Sequence, residues 1–114
     1  KNIVRDQKIS NFVFRQQVLF DFPPKELRGV IDKGKKDIKV GIVVSISTFE
    51  GKVGVAVGLS KELTKKFDAV QLVKLASKVL GGKGGGGRKD FAQAGGSYTE
   101  KIEDAFKILK DKIS

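Results

Sequence analysis

The stretch Ile38-Lys39-Val40-Gly41-Ile42-Val43-Val44-Ser45-Ile46-Ser47-Thr48-Phe49-Glu50-Gly51-Lys52-Val53-Gly54-Val55-Ala56-Val57-Gly58 alternates with a period of two through most of its length. Ile38, Val40, Ile42, Val44 and Ile46 share one face, while Gly41, Val43, Ser45 and Ser47 take the other. That spacing predicts a strand over 38–48 with one strongly apolar face. Beyond Phe49-Glu50-Gly51, Val53, Val55 and Val57 form one face, and Gly54, Ala56 and Gly58 the other. Two such runs joined by a short glycine-bearing connection predict an antiparallel hairpin. Its small-residue face leaves room for a helix, or a ligand, to approach the backbone.

Working outward, residues 11–22 also alternate. Phe12, Phe14, Val18 and Phe20 share a face with Gln16, opposite Val13, Arg15, Gln17 and Leu19. This reads as a strand with one buried face. Pro23-Pro24 ends it, and Pro24 suits the first turn of a helix, where its missing N–H costs nothing. Leu27, Val30 and Ile31 give that helix an apolar stripe, and Gly34 is the expected C-terminal cap. Residues 1–10 are polar without a clear period and are expected to be a connection to an upstream part. Downstream, Asp68 to Leu80 reads as a helix with Asp68 and Gln71 as a capping-box pair. Its stripe is Leu72, Val73, Ala76, Val79 and Leu80. A last helix opens at Ser97-Tyr98-Thr99-Glu100, an S-x-x-E box, and buries Ile102, Ala105, Phe106, Leu109 and Ile113. The order is strand, helix, hairpin, helix, glycine loop, helix. It predicts an α+β fold: a mixed β-sheet of about four to five strands with helices packed on it, in a single compact domain over 1–114.

Composition narrows the chemistry. The 114 residues contain no Cys, no His and no Met. Disulfides, Ser-His-Asp and Cys-His nucleophiles, and zinc sites built on thiolate or imidazole are therefore excluded within this chain. The missing initiator Met implies a fragment or a processed product. No run of about 18 apolar residues is present, and no apolar segment follows the N-terminus as in a signal peptide. A cytoplasmic location without a membrane partner is expected. Glu103-Asp104 and Asp32 lie on helix patterns as solvated side chains. Ser45 and Ser47 lack a base to activate them. No catalytic residue is assigned. Lys+Arg 23 against Asp+Glu 13 gives a formal charge of +10, an excess that attracts polyanions, or alternatively serves solubility.

The segment Leu80-Gly81-Gly82-Lys83-Gly84-Gly85-Gly86-Gly87-Arg88-Lys89-Asp90-Phe91-Ala92-Gln93-Ala94-Gly95-Gly96 carries the functional information. Such a glycine run exceeds what a helix-to-helix link needs. What it gains is exposed N–H groups able to form an anion-binding nest, with Lys83, Arg88 and Lys89 around it. The alternative is a flexible linker, against which the patterned 91–96 run argues. Gly82-Lys83-Gly84-Gly85-Gly86-Gly87 matches G-x-G-x-x-G trivially, but a helix rather than a strand precedes it, so it is no dinucleotide fingerprint. Gly29 to Gly34 followed by Lys35 mimics a Walker A loop, but Lys36 replaces the required Ser or Thr.

Gly81-Gly82-Lys83-Gly84 through Arg88, Asp90 and Ala92-Gln93-Ala94-Gly95-Gly96 closely resembles the glycine-rich signature of the DHH-associated domain, as found at the C-terminus of alanyl-tRNA synthetases. Val55 to Thr64 and the helix around Leu72-Val73-Lys74 are similar to the same family. The loop has one Gly more than the family pattern and Lys89 where the family has Pro. The resemblance implies a noncatalytic domain that grips the outer corner of tRNA for aminoacylation and editing. It implies tRNA(Ala) and upstream catalytic and editing modules as partners, and a monomeric fragment. ATP, magnesium and an editing-site zinc belong to the parent, and no cofactor is expected here. The implied nucleic-acid-binding residues are Lys83, Gly84, Gly85, Gly86, Gly87, Arg88, Lys89, Gln93, Gly95 and Gly96. Gln93 reads equally as a hydrogen bond that pins the glycine loop. The alternative is the substrate-binding domain of a DHH-type phosphoesterase or exonuclease, which typically carries a His after the glycines. A free-standing module with a basic, solubilising face is the third reading.

Overall fold

A computed structural model describes residues 2–114. The sheet has six strands: β1 (Ile3–Ile9), β2 (Phe12–Phe20), β3 (Gly41–Phe49), β4 (Lys52–Leu59), β5 (Gly85–Gly87) and β6 (Phe91–Gly96). The helices are α1 (Leu27–Ile38), α2 (Ala69–Val79) and α3 (Ile102–Ile113). Strand order is β1-β2-β3-β4-β6-β5, with β2 and β3 parallel and every other pair antiparallel. The α+β mixed sheet is as expected, with more strands than the four to five predicted. Parallel β2 and β3 need a crossover, and α1 supplies it.

The hairpin forms as read. Phe49 pairs with Lys52 across Glu50-Gly51, whose φ values are 50° and 80°. Positive φ at both turn positions matches the right-handed twist of the strands, and Gly51 takes it without Cβ strain. The sheet has two faces. Phe12, Phe14, Ile42, Val44, Ile46, Val55 and Val57 face α2 and α3, meeting Leu72, Val73, Leu80, Phe106 and Leu109 in the larger core. On the other face Leu19, Val43 and Ala56 pack against Leu27 and Ile31 of α1. The small residues of β4 make that approach possible. A Cβ on Gly58 would fall onto Cγ2 of Ile31, and one on Gly54 would lie 2.8 Å from Cβ of Pro24.

Several boundaries differ from the sequence reading. Residues 3–9 form a full strand, paired from Ile3 with Val18 to Ile9 with Phe12. Exposed along most of its length, this edge strand has no buried face to impose a hydrophobic period. The first helix runs through Gly34 to Ile38. Gly34 is buried mid-helix against Val43, where a Cβ would come within 3.0 Å of Cγ1, so glycine serves contact there rather than capping. Ile38 consequently belongs to α1, and β3 starts at Gly41. Phe20 ends β2 exposed, while Leu19 on the opposite face is buried, so β2 is covered on both sides in part. Asp68 caps α2 by accepting from the Val70 N–H at 2.9 Å, without a hydrogen bond back from Gln71. The Ser97 box does not form. The amides of Ser97 and Tyr98 both donate to the Leu80 carbonyl, and α3 is entered through a 3-10 turn at Thr99–Lys101 with no side-chain cap. The five residues of the α3 stripe are buried as expected.

Candidate nucleic-acid interface

The glycine segment is a hairpin rather than a loose loop. Gly85, Gly86 and Gly87 pair with Ala94, Gln93 and Ala92, making β5 the edge of the sheet. The Arg88 N–H donates to the Phe91 carbonyl at 2.7 Å, closing a two-residue turn at Lys89-Asp90. In an antiparallel ladder the hydrogen-bonded pairs alternate, so Gly86–Gln93 is the next such pair. The amides of Gly85 and Gly87 therefore point away from β6 along the open edge. This replaces the expected nest with a row of outward donors. Glycine is required for a steric reason too: a Cβ at Gly85 or Gly87 would fall onto the carbonyl of Gln93 or Phe91.

The hairpin is fastened at both ends. At its base, buried Ser77 on α2 donates to the Gly95 carbonyl at 2.7 Å and accepts from the Gly84 N–H at 3.3 Å. Gly96 packs against Leu80, where a Cβ would meet the carbonyl oxygen at 2.6 Å. Gly96 thus serves close packing at the base, whereas Gly95 is exposed and a Cβ there would make only an ordinary 3.7 Å contact with the Val53 carbonyl oxygen. At its tip, the carbonyl of Lys89 accepts from the first amide of α2, Ala69, at 2.8 Å, and that of Asp90 from Leu59 at 2.9 Å. The Gln93 amide donates to the Pro24 carbonyl at 2.7 Å, so it ties β6 to the 3-10 turn at Pro24–Glu26 that leads into α1 and not to the glycine strand. On the same face the Arg28 guanidinium lies 4.7 Å from the Phe91 ring centre.

The three loop cations do not converge. Lys83 and Arg88 flank β5 at opposite ends and line different hollows. Lys83 shares one end with Lys74 and Lys78 of α2 around a shallow hollow of about 600 Å³ floored by Gly82, Gly84 and Gly85. Arg88 and Lys89 instead line a larger open cleft of about 890 Å³ with Lys35, Lys36, Lys39 and Lys61. Three carboxylates, Asp32, Glu62 and Asp90, share that cleft, so positive charge predominates there. Arg88 approaches Asp90 at 3.4 Å, but both are well exposed and the pair is weak. Sequence reading missed the four lysines from α1, its end and the β4–α2 connection. The run Lys35-Lys36 was the available clue, read as a failed Walker A.

Elsewhere, Arg15 on β2 joins Asp6 of β1 at 2.8 Å and Asp37 of α1 at 3.1 Å. The Arg15 hydrogen bond holds the Asp6 carboxyl below its ordinary pKa against an opposing effect of desolvation. This is a structural clamp across three elements. Among the described residues there is no group of three or more Asp or Glu placed to hold a metal ion, and no helix long and apolar enough to cross a membrane.

With this arrangement in view, the chain belongs to the DHHA1 domain family, whose pattern matches residues 11–114. Its relatives place it more narrowly. It is 45% identical over 96 residues to the alanine–tRNA ligase of Granulibacter bethesdensis, covering 84% of this chain and 11% of that protein. It is 49% identical over 86 residues to that of Hyphomonas neptunium, covering 75% of this chain and 10% of that one. The chain thus spans about a tenth of the length of the curated relatives it matches. Among solved structures, the C-Ala domain of Aquifex aeolicus alanyl-tRNA synthetase superposes with a TM-score of 0.87 at 34% identity, over 94% of this chain and 96% of that one. A DHH domain protein described as a member of the s1p family of ribosomal proteins shares the fold, with a TM-score of 0.64 at 18% identity, over 96% of this chain and 27% of that one.

Proposed function

We propose that this is the noncatalytic, C-terminal tRNA-binding domain of an alanyl-tRNA synthetase. It grips the outer corner of tRNA(Ala) so that one tRNA serves both aminoacylation and editing by upstream modules of the same chain. The observation that carries the reading is the rigid glycine hairpin that sets exposed Arg88 and Lys89 beside four further lysines. Cations with free backbone donors suit phosphate oxygens, and such contacts fix position without reading bases. ATP, magnesium and an editing zinc would be held by the other modules in the cytoplasm. With no Cys and no His, this domain's donor set does not suit a structural or catalytic zinc.

The test is tRNA binding as a function of salt. The logarithm of affinity should fall linearly with the logarithm of salt concentration, with a slope near 0.9 per phosphate neutralised. A Lys83→Ala/Arg88→Ala/Lys89→Ala variant should lose more affinity and more slope than a charge-matched Lys101→Ala/Lys107→Ala/Lys110→Ala variant of α3 and the 3-10 turn before it. Equal losses in the two would leave net charge as the sole attraction and remove the hairpin as a site.

A further inference from the structure

Lys39 occupies a backbone position that lysine rarely takes. Its φ and ψ are 69° and −71°, and the Val40 N–H donates back to the Ile38 carbonyl at 2.9 Å. A three-residue turn with positive φ at its centre is the strained kind of γ-turn, and such strain concentrates at functional sites. Glycine would adopt this conformation without Cβ strain. The turn is held in place by buried Ser60, whose hydroxyl donates to the Lys39 carbonyl at 3.0 Å and accepts from the Gly41 N–H at 2.7 Å. The Ser60 amide in turn donates to the Gly41 carbonyl at 3.0 Å. The exposed side chain presented by this turn lines the cleft, where Lys35 and Lys36 of α1 face Lys61, Arg88 and Lys89. A helix end and a strand start meet there through a residue that keeps its charge where glycine would fit better.

We infer that the cleft between the end of α1, the Lys61 segment and the Lys89-Asp90 turn is a seat for adjacent phosphates of a polynucleotide, and that Lys39 is its built-in anchor. The inference rests on the tRNA-binding reading and names the place and the central contact. Phosphate is the chemistry that fits: the cations come from separate chain segments, the cleft is open, and the exposed lysines present point charges to an anion instead of a bidentate fork. Two phosphates of one strand can be spanned by cations on opposite walls, whereas a small neutral ligand would meet no aliphatic or aromatic residue among those that line the cleft. The strain at Lys39 sets it apart from a lysine that merely adds solubility, a role that any unstrained exposed position would serve equally well.

The experiment compares Lys39→Gly with Lys33→Ala, which removes the same charge from an exposed position of α1 outside the cleft. Lys39→Gly should raise the denaturation midpoint while weakening tRNA binding several-fold and lowering the salt slope by about one. Lys33→Ala should change affinity much less. A parallel titration of the wild-type domain with inorganic pyrophosphate should shift the amide resonances of Lys39, Gly41 and Ser60. Equal affinity losses in the two variants with no pyrophosphate shifts would overturn the inference while leaving tRNA binding standing. Absence of tRNA binding by the wild type, with the pyrophosphate shifts present, would refute the tRNA reading and keep the cleft as a phosphate seat. A lower midpoint for Lys39→Gly would refute the claim of stored strain.

Discussion

Gly58→Ala tests whether α1 rests on the sheet as described. The added Cβ would fall onto Cγ2 of Ile31 and lie 3.1 Å from Cδ of Lys35. Lys35 is half-buried with a flexible stem and can turn aside, but Ile31 is fully buried between β3, β4 and its own helix. The methyl therefore has to be accommodated by shifting α1 or by driving Ile31 off its rotamer. Overpacking of this kind costs about 1–3 kcal/mol. Ile31→Ala alone should cost about 2–5 kcal/mol, since it empties a fully buried site. In the double variant the alanine methyl occupies part of that cavity and the clash is gone, so the two losses should fall short of additivity by at least about 1 kcal/mol. Urea denaturation of the four proteins, with unchanged m-values as the check on two-state behaviour, gives the coupling directly. Additive losses, or a Gly58→Ala protein as stable as the parent, would mean that α1 is not seated on β4 through Ile31 as described.

The clamp at Arg15 predicts a pH dependence with a defined sign. Because the folded-state pKa of Asp6 is depressed by Arg15, its contribution is present above the ordinary aspartate value of about 3.9 and is lost as pH falls through the folded value. Asp6→Asn should flatten the acid limb of the stability curve below about pH 4; an unchanged limb would remove Asp6 from the acid response. Ser77→Ala removes the hydroxyl that joins α2 to Gly95 and Gly84. It should cost about 1–3 kcal/mol, as a partner is taken from a half-shielded carbonyl. Hydrogen exchange should speed up at Gly84 and Gly86 ahead of the β3–β4 core, and uniform acceleration would contradict a local fastening.

How far the fold could be read from the residues depends on how each element is stabilised. The β3–β4 hairpin was legible because its faces are buried against different neighbours, which forces the period of two on Ile42 to Ile46 and Val53 to Val57. The stripes of α2 and α3 were legible for the same reason at a period of 3.6. Strand β1 was hidden because neither of its faces is fully covered; pairing with β2 and the reach of Arg5 to Glu103 at 2.8 Å hold it instead. Strand β5 was hidden more deeply. Three glycines have no strand propensity, and their extended form is imposed by β6 and by the room that missing side chains allow. Gln93 illustrates the same limit in a site residue: its type marked it as a polar contact, but its partner is the Pro24 carbonyl, 69 positions away.

The basic cleft was illegible because its walls are not neighbours in sequence. Lys35, Lys36 and Lys39 come from the crossover between two parallel strands, Lys61 from the exit of β4, and Arg88 and Lys89 from the turn between the last two strands. They meet because α1 lies across β3 and β4 on one face, while β6 pairs with β4 and brings its turn to the same end of the sheet. The same geometry makes the cleft's backbone rigid. The carbonyl of Lys89 is bound by the first amide of α2, that of Asp90 by Leu59, and that of Lys39 by Ser60. A ligand entering the cleft would then have to order lysine and arginine side chains, at about 0.5–1.5 kcal/mol each, with the backbone already in position. A flexible glycine loop would add the ordering of several backbone residues to that cost, at roughly 1–2 kcal/mol per residue. The difference is large enough to turn a weak electrostatic attraction into a positioned contact. It gives a physical reason for the glycine run to be folded into the edge of the sheet instead of being left as a tether.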